Sequence, residues 1–232
     1  MGRLTVKPAR TISTGVYDIL QEDILQLRRK PGESIDSNEI AADLSVSRAP
    51  VRDALIKLER DGLVDIFPQR GTYVSRINLK RVDEECFLRR SLELSVLPLF
   101  LKQCGSDALS QFSKCILLQK QALEDKDYVS LQEYDDAFHS VFFLAAHKEL
   151  CWSLIQSASG HYKRIRLLSL WEHDISAGVV EEHEEILRTV RLCDEFALAE
   201  LMCSHLSRLV VQEGLFREKH PDYFTDDSGA PF

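Results

Sequence analysis

Asp135 and His139 are four residues apart, which on a helix puts a carboxylate and an imidazole on one face, about one turn from each other. His183 and His205 are 22 residues apart, a distance that lets two consecutive antiparallel helices bring both rings to one level. One carboxylate and three neutral imidazoles from three helices make a good donor set for a first-row divalent ion, with positions left for a ligand or water. Asp136 points about 100° of helix rotation away from its neighbour, so Asp135 is the expected ligand. Such Asp/His pairs are also common on solvated helix faces, and spacing alone leaves both readings open. The other four histidines, His147, His161, His173 and His220, read as surface or core-edge residues.

A second chemistry belongs to arginine. Arg48 and Arg52, also four apart, project from one side of the start of a helix, where the backbone amides favour phosphate. A guanidinium there can hold a guanine edge with two hydrogen bonds, or a phosphate oxygen.

The chain that must position these groups has 232 residues, 44% hydrophobic and 28% charged, with ten glycines and seven prolines. That profile excludes a disordered, collagen-like or low-complexity chain. No apolar run reaches the roughly 18 residues of a membrane helix, and the first residues lack the apolar core of a signal peptide, so no membrane partner and a cytoplasmic location are expected. Six cysteines at irregular spacings, without a C-x-x-C pair, read as reduced thiols. The net charge of -8 is unevenly placed: residues 1–78 hold 12 basic and 11 acidic side chains, the remainder 17 and 26. The excess acid therefore lies wholly outside the segment that carries Arg48 and Arg52.

Pattern changes divide the chain. Up to residue 78 the elements are short. A helix over 14–27 carries Val16, Ile19, Leu20, Ile24 and Leu27 on one stripe. A second starts after Asp36, whose side chain caps it while Glu39 completes a capping box. Ser47 caps a third, with Val51, Ala54, Leu55 and Leu58 facing inward until Gly62 stops it. Residues 63–67 and 72–74, joined by Pro68-Gln69-Arg70-Gly71, read as a two-stranded hairpin. Three short helices and a hairpin describe a winged helix-turn-helix. From residue 79 to 220 the period is helical: 81–103, 107–124, 127–145, 148–170, 176–192 and 194–218, with short breaks that imply an antiparallel bundle. Residues 221–232 read as a frayed tail. The fold class is thus mainly α, a winged helix-turn-helix followed by an all-α bundle.

Pro31-Gly32-Glu33, Leu44 through Leu55 (LSVSRAPVRDAL) and Leu58-Glu59-Arg60-Asp61-Gly62-Leu63-Val64 through Gly71-Thr72-Tyr73-Val74 resemble the N-terminal domain of GntR-family bacterial transcription regulators over about 60 residues. The bundle resembles the FCD ligand-binding domain of that family's FadR-type branch. Asp135-Asp136-Ala137-Phe138-His139, Glu182 through Leu187 and Met202-Cys203-Ser204-His205-Leu206 fall on its three metal-binding segments in order. The resemblance implies DNA contacts from Ser47, Arg48 and Arg52, with Gly71 letting the wing backbone approach the minor groove; Gln69 and Arg70 are candidate wing contacts. Many relatives carry Glu-Arg where this chain has Ser37-Asn38, so one usual contact is missing, and Asn38 is the candidate there for an adenine edge.

The same resemblance implies a divalent ion, zinc first with nickel and manganese as alternatives, on Asp135, His139, His183 and His205. It implies a small carboxylate effector held by Arg89, with Arg164 or Arg166 as a second clamp; for Arg89 the competing reading is an ion pair with Glu85 or Glu93. The partners implied are an inverted-repeat duplex operator and a second copy of the chain, with repression the usual outcome. The alternative is a metal-dependent hydrolase or lyase at the same Asp/His site, using Glu182, Glu184 or Glu185 as base; against it, no HExxH, nucleophile elbow or phosphate loop is present.

Overall fold

Two sets of apolar residues, one on each side of the Arg76–Ile77 junction, bury themselves separately and divide the chain into two units. The computed structural model describes residues 11–171 and 173–225, with the side chains of residues 173–174 and 209–215 outside that description. The expectations for the first ten residues, the last seven and the His173 side chain lie outside the described residues.

In the first unit, α1 (Ile12–Leu25) is capped by Thr11, whose Oγ1 accepts from Thr14 N–H at 3.2 Å. It buries Val16, Tyr17, Leu20 and Ile24; Ile19, expected on that stripe, is 45% exposed and Tyr17 takes its place. The strand β1 (Ser34–Ile35) precedes α2 (Ser37–Asp43), which Asp36 caps through Asn38 N–H at 2.7 Å. In α3 (Arg48–Arg60) the expected Val51, Ala54, Leu55 and Leu58 are buried, and Gly62 ends the segment at φ 72°. The hairpin of β2 (Val64–Phe67) and β3 (Gly71–Val74) pairs Val64 with Val74 and Phe67 with Gly71.

The sheet has three strands where two were expected, in the order β1-β3-β2, because Ser34 and Ile35 pair with Tyr73 and Thr72. Two residues are too short to show an alternation, so no periodicity could announce β1.

The second unit is helical: α4 (Leu79–Gln103), α5 (Ser106–Glu124), α6 (Tyr128–Ala145), α7 (Glu149–Ser157), α8 (Gly160–Leu170), α9 (His173–Leu192) and α10 (Glu195–Lys219). Lys126, His147 and Cys193 take φ of 56°, 54° and 54° at the expected breaks. Single left-handed residues of this kind terminate helices.

The expected single helix over 148–170 is in fact two. Glu85 of α4, buried, accepts from His161 N–H at 3.0 Å and Tyr162 N–H at 2.8 Å, satisfying amides that a continuous helix would have used internally. A distant carboxylate thus sets the break, and burial pushes its pKa up despite those bonds and Arg81.

The expected frayed tail is also partly fixed. Ile77 N–H donates to Tyr223 O at 2.7 Å, Thr225 N–H donates to Ile77 O at 3.0 Å, and Phe224 is buried. The C-terminal segment therefore holds the first residue of the second unit.

At the centre of the bundle, Phe112 lies 5.7 Å from Phe100, 4.8 Å from Phe138 and 4.9 Å from Phe142, ring centroid to centroid. Truncating so buried an aromatic removes both transfer free energy and packing, so Phe112→Ala is expected to cost about 3–5 kcal/mol. Denaturant unfolding followed by helical signal checks this; a loss below about 1 kcal/mol would mean the core refills the space. Among the described residues, no helix is long and apolar enough to cross a membrane.

Candidate metal centre and nucleic-acid interface

Three helices bring the four expected metal ligands together. Asp135 and His139 come from α6, His183 from α9 and His205 from α10, and one donor atom from each lies within 4.8 Å of all the others. His205 Nε2 is 3.2 Å from His139 Nε2 and 3.3 Å from His183 Nε2, while Asp135 oxygens are 3.8 and 3.7 Å from the same two nitrogens. Neighbouring ligands about 2.0–2.1 Å from one ion sit about 3 Å apart, so the imidazole separations suit a shared ion and those to Asp135 are somewhat longer.

The outer nitrogens decide the tautomers. His139 Nδ1 donates to Glu93 Oε2 at 2.5 Å, and His205 Nδ1 to Glu182 Oε2 at 2.6 Å. His183 Nδ1 donates to Gln119 Oε1 at 2.8 Å; the amide is oriented by its own donation to Tyr134 O at 3.0 Å. With Nδ1–H committed outward on every ring, each Nε2 presents a lone pair to the centre, beside a carboxylate. Lone pairs facing one another at this distance repel unless a cation lies between them. The donor set therefore fits a divalent ion on chemical grounds.

Burial favours the neutral form of two of the rings. It lowers the pKa of His183 well below the usual imidazole value, with His205 and His139 adding to the shift, and lowers that of His139 despite Glu93. For Glu93, burial pushes up, but the His139 N–H bond and the Arg89 guanidinium win and hold it at about 2. Both shifts carry the same sign for stability. An unfolded imidazole takes a proton below about 6.5, which the buried His183 refuses, so stability present above that pH is lost as pH falls through it. Glu93 adds a further loss between its ordinary 4.5 and about 2. The melting temperature of chelator-treated protein is thus expected to fall steadily from pH 6.5 downward; a flat profile would contradict the buried neutral imidazole.

Above the ligands lies a cavity of about 40 Å³ to the centre of a water-sized sphere. Arg89, Tyr162, Arg166, Ser169 and Arg208 supply its polar wall, and Leu170, Ile175, Val179 and Leu206 its apolar one. Arg89 makes the ion pair with Glu93, its Nε donating at 2.5 Å, and it also lines the cavity. Arg166 donates to Asp135 and Asp136, each at 2.8 Å. Arg164 corrects the expectation of a second clamp there. It is fully buried and turned away, donating to Gly160 O at 3.2 Å and His161 Nδ1 at 3.0 Å, and it does not line the cavity.

Sequence reading missed Glu93 as a partner of His139, Gln119, Glu182 as an orienting group, Tyr162 and Arg208. Arg208 had a signal, since it lies three residues after His205 and so on the same helix face. Gln119 had none, because its role depends on α5 packing against α9. Removing an outer-shell partner of this kind typically costs about 10–100-fold in metal affinity, the loss expected for Gln119→Ala in a competitive chelator titration. Unchanged affinity would show that the amide does not hold His183.

In the first unit the seven expected DNA-contact residues, Asn38, Ser47, Arg48, Arg52, Gln69, Arg70 and Gly71, are all exposed. Ser47 is the N-cap of α3 as expected, but it is exposed and makes no capping bond with its side chain. The wing tip is built for a tight turn. Gln69 has φ 63° and Gly71 φ 114°, and a Cβ at Gly71 would meet the Tyr73 ring at 3.4 Å. Tyr73 Oη donates to Arg70 O at 2.9 Å, and the Arg70 guanidinium lies 5.9 Å from the Phe67 ring centroid.

Residues 12–74 match the family of bacterial regulatory proteins called the gntR family, and residues 86–208 match the FCD domain. The chain is 28% identical, over 96% of its length and 97% of the relative's, to the HTH-type transcriptional repressor RspR of Escherichia coli K12. It is 32% identical, over 95% and 93%, to an HTH-type transcriptional regulator in an unstable DNA locus of Streptomyces ambofaciens. Among solved structures, a putative GntR transcriptional regulator from Rhodococcus sp. RHA1 superposes with a TM-score of 0.76 at 23% identity, covering 86% of this chain and 96% of that one. Both units match regulator families, so the alternative of a hydrolase or lyase is set aside. The chain belongs to the GntR family of DNA-binding transcriptional regulators, with an FCD domain as its second unit.

Proposed function

We propose that this regulator works in the cytoplasm as a homodimer on an inverted-repeat operator, usually repressing, and that a small organic acid in the chamber of the second unit changes its operator affinity. The observation that carries this reading is the convergence of three Nε2 lone pairs and Asp135 beneath a cavity walled by arginines. Asp135, His139, His183 and His205 would hold a divalent ion, with zinc favoured by the three imidazoles and nickel or manganese also accommodated. When bound, the ion supplies a positive charge with coordination positions open to a carboxylate oxygen. Arg89 and Arg166 orient that carboxylate through their planar forks. The name of the relative RspR supports repression as the direction.

Linkage to the DNA-binding unit needs an element that feels the chamber. Tyr162 lines it, with its ring 5.4 Å from the Arg89 guanidinium and 5.6 Å from that of Arg166. The adjacent His161 accepts from Asn78 N–H at 3.2 Å, two residues after the boundary between the units. A ligand that moves α8 therefore pulls on the chain where the DNA-binding unit is attached.

The experiment is a thermal-shift screen of small organic acids, run on metal-loaded and chelator-treated protein. A ligand at about 100 times its Kd stabilises the protein by about 2.7 kcal/mol. The expected result is a shift for at least one acid that vanishes with chelator, and that same acid changing operator retention. Equal shifts in both samples would sink the metal-centred reading.

A further inference from the structure

We infer that the chamber is built for a small dianion, such as a short dicarboxylate, whose second anionic group is read by Arg208. The inference rests on the reading of the chamber as an acid-binding metal site and narrows it to one charge class.

The first support is a balance of charge. Around the cavity, Arg89, Lys163, Arg166 and Arg208 stand against Glu93, Asp135, Asp136 and Glu182. They are interlocked: Arg89 with Glu93 at 2.5 Å, Arg166 with Asp135 and Asp136 at 2.8 Å each, Lys163 with Asp136 at 3.6 Å, and Arg208 with Glu182. Four cations meet four carboxylates, and an imidazole that gives its lone pair to an ion carries no charge of its own. The neighbouring Glu85 is paired with Arg81 at 3.2 Å and also attracts the buried Arg164, so no carboxylate is left over there to answer a further cation. A divalent ion then brings two positive charges that, among the described residues, no side chain around the cavity answers. Uncompensated charge is costly where water is scarce, and a ligand carrying two negative charges removes it while a monoanion leaves half.

The second support is where Arg208 sits. It is on α10 one turn after His205, lines the same cavity, and shares Glu182 with that histidine. Its guanidinium packs against α9 at Gly178, where a Cβ would stand 2.9 Å from Nη1. Glycine there lets the arginine stay beside the chamber instead of swinging to solvent. Arg89 and Arg166 reach the cavity from α4 and α8, so an acid whose first carboxylate lies on their side presents its second toward Arg208. The small cavity limits the spacer between the two to a few atoms.

The test uses full-length, metal-loaded protein and calorimetric titration with propionate, malonate and succinate, the metal content being measured before and after. Wild type is expected to bind malonate or succinate at least about tenfold more tightly than propionate, one charge-assisted contact's worth. In Arg208→Gln that advantage falls below about threefold, and Arg208→Lys, which keeps the charge without the fork, lies between. Propionate affinity is the internal control for a folded chamber. Equal affinities in wild type, or an advantage that survives Arg208→Gln, overturn the dianion inference while leaving the metal-centred reading standing. Metal lost during titration assigns the heat to chelation and overturns it too. If no acid binds a fully metal-loaded protein, the acid-sensor reading falls together with the inference.

Discussion

Replacing His183 with alanine is expected to strip the bound metal and silence any response to acid. His183 is fully buried, its Nδ1 is committed to Gln119, and its Nε2 is one of three that meet at the centre. Outer-shell partners are worth about 10–100-fold in metal affinity, and a direct donor is worth more, so a loss above about 100-fold is expected. A ligand at about 1,000 times its Kd contributes about 4.1 kcal/mol to stability, so the difference in melting temperature between zinc-loaded and chelator-treated protein should nearly vanish in this variant. The substitution also leaves a hole against Phe138, whose ring stacks on His183 with centroids 4.1 Å apart. That cost falls equally on loaded and chelated protein, so the difference between them isolates the metal term. His147→Asn is the control: this histidine sits exposed in a left-handed turn that asparagine tolerates, and it should keep a full metal load. A full load in His183→Ala would show that the converging nitrogens are not a metal site.

The Asp/His cluster and the inward face of α3 were legible in part because helix-period spacing carries them, while joining His183 and His205 to the Asp135–His139 pair drew on the family resemblance. Asp135 and His139 share a face by helix period, and Val51, Ala54, Leu55 and Leu58 announce the inward side of α3. What escaped depends on groups far apart in sequence. Glu85 ends the helix before His161 from 76 positions away, so the run over 148–170 read as continuous. Gln119 orients His183 from 64 positions away, and nothing in its own neighbourhood marks it. β1 and the docking of Phe224 beside Ile77 exist only as pairings with distant partners. Arg164 and Arg166 show the limit most clearly. Two arginines a residue apart have equal claims in a sequence, yet about 200° of helix rotation sends one to the cavity wall and the other to the backbone of its own helix. Chemistry is read from residue types; which of two equal candidates performs it is read from packing.

Replacing Arg52 with alanine is expected to produce the largest loss of operator binding. Arg52 is exposed on the first turns of α3, as is Arg48, and among the described residues neither enters an ion pair. A bidentate base contact discriminates by about 1–3 kcal/mol, and a symmetric dimer makes it twice, so the loss sums to about 2–6 kcal/mol, or roughly 30-fold to 20,000-fold. Residues 1–78 carry an excess of only one positive charge, so little background attraction is available to mask the missing contact. Base reading and phosphate binding separate by salt. Losing a phosphate contact lowers the magnitude of the slope of log K against log salt by about one per protomer, whereas losing a base contact lowers affinity for the selected site and leaves weak binding to random duplex nearly unchanged. Gel-shift titrations of wild type, Arg48→Ala and Arg52→Ala, at three salt concentrations, on a duplex selected from a random pool and on an unrelated one, assign each arginine its role. Circular dichroism controls for the fold, and helical signal should be unaltered because both side chains point to solvent. Selected-site affinity equal to wild type in both variants would remove α3 from the DNA interface and, with it, the link between operator and chamber.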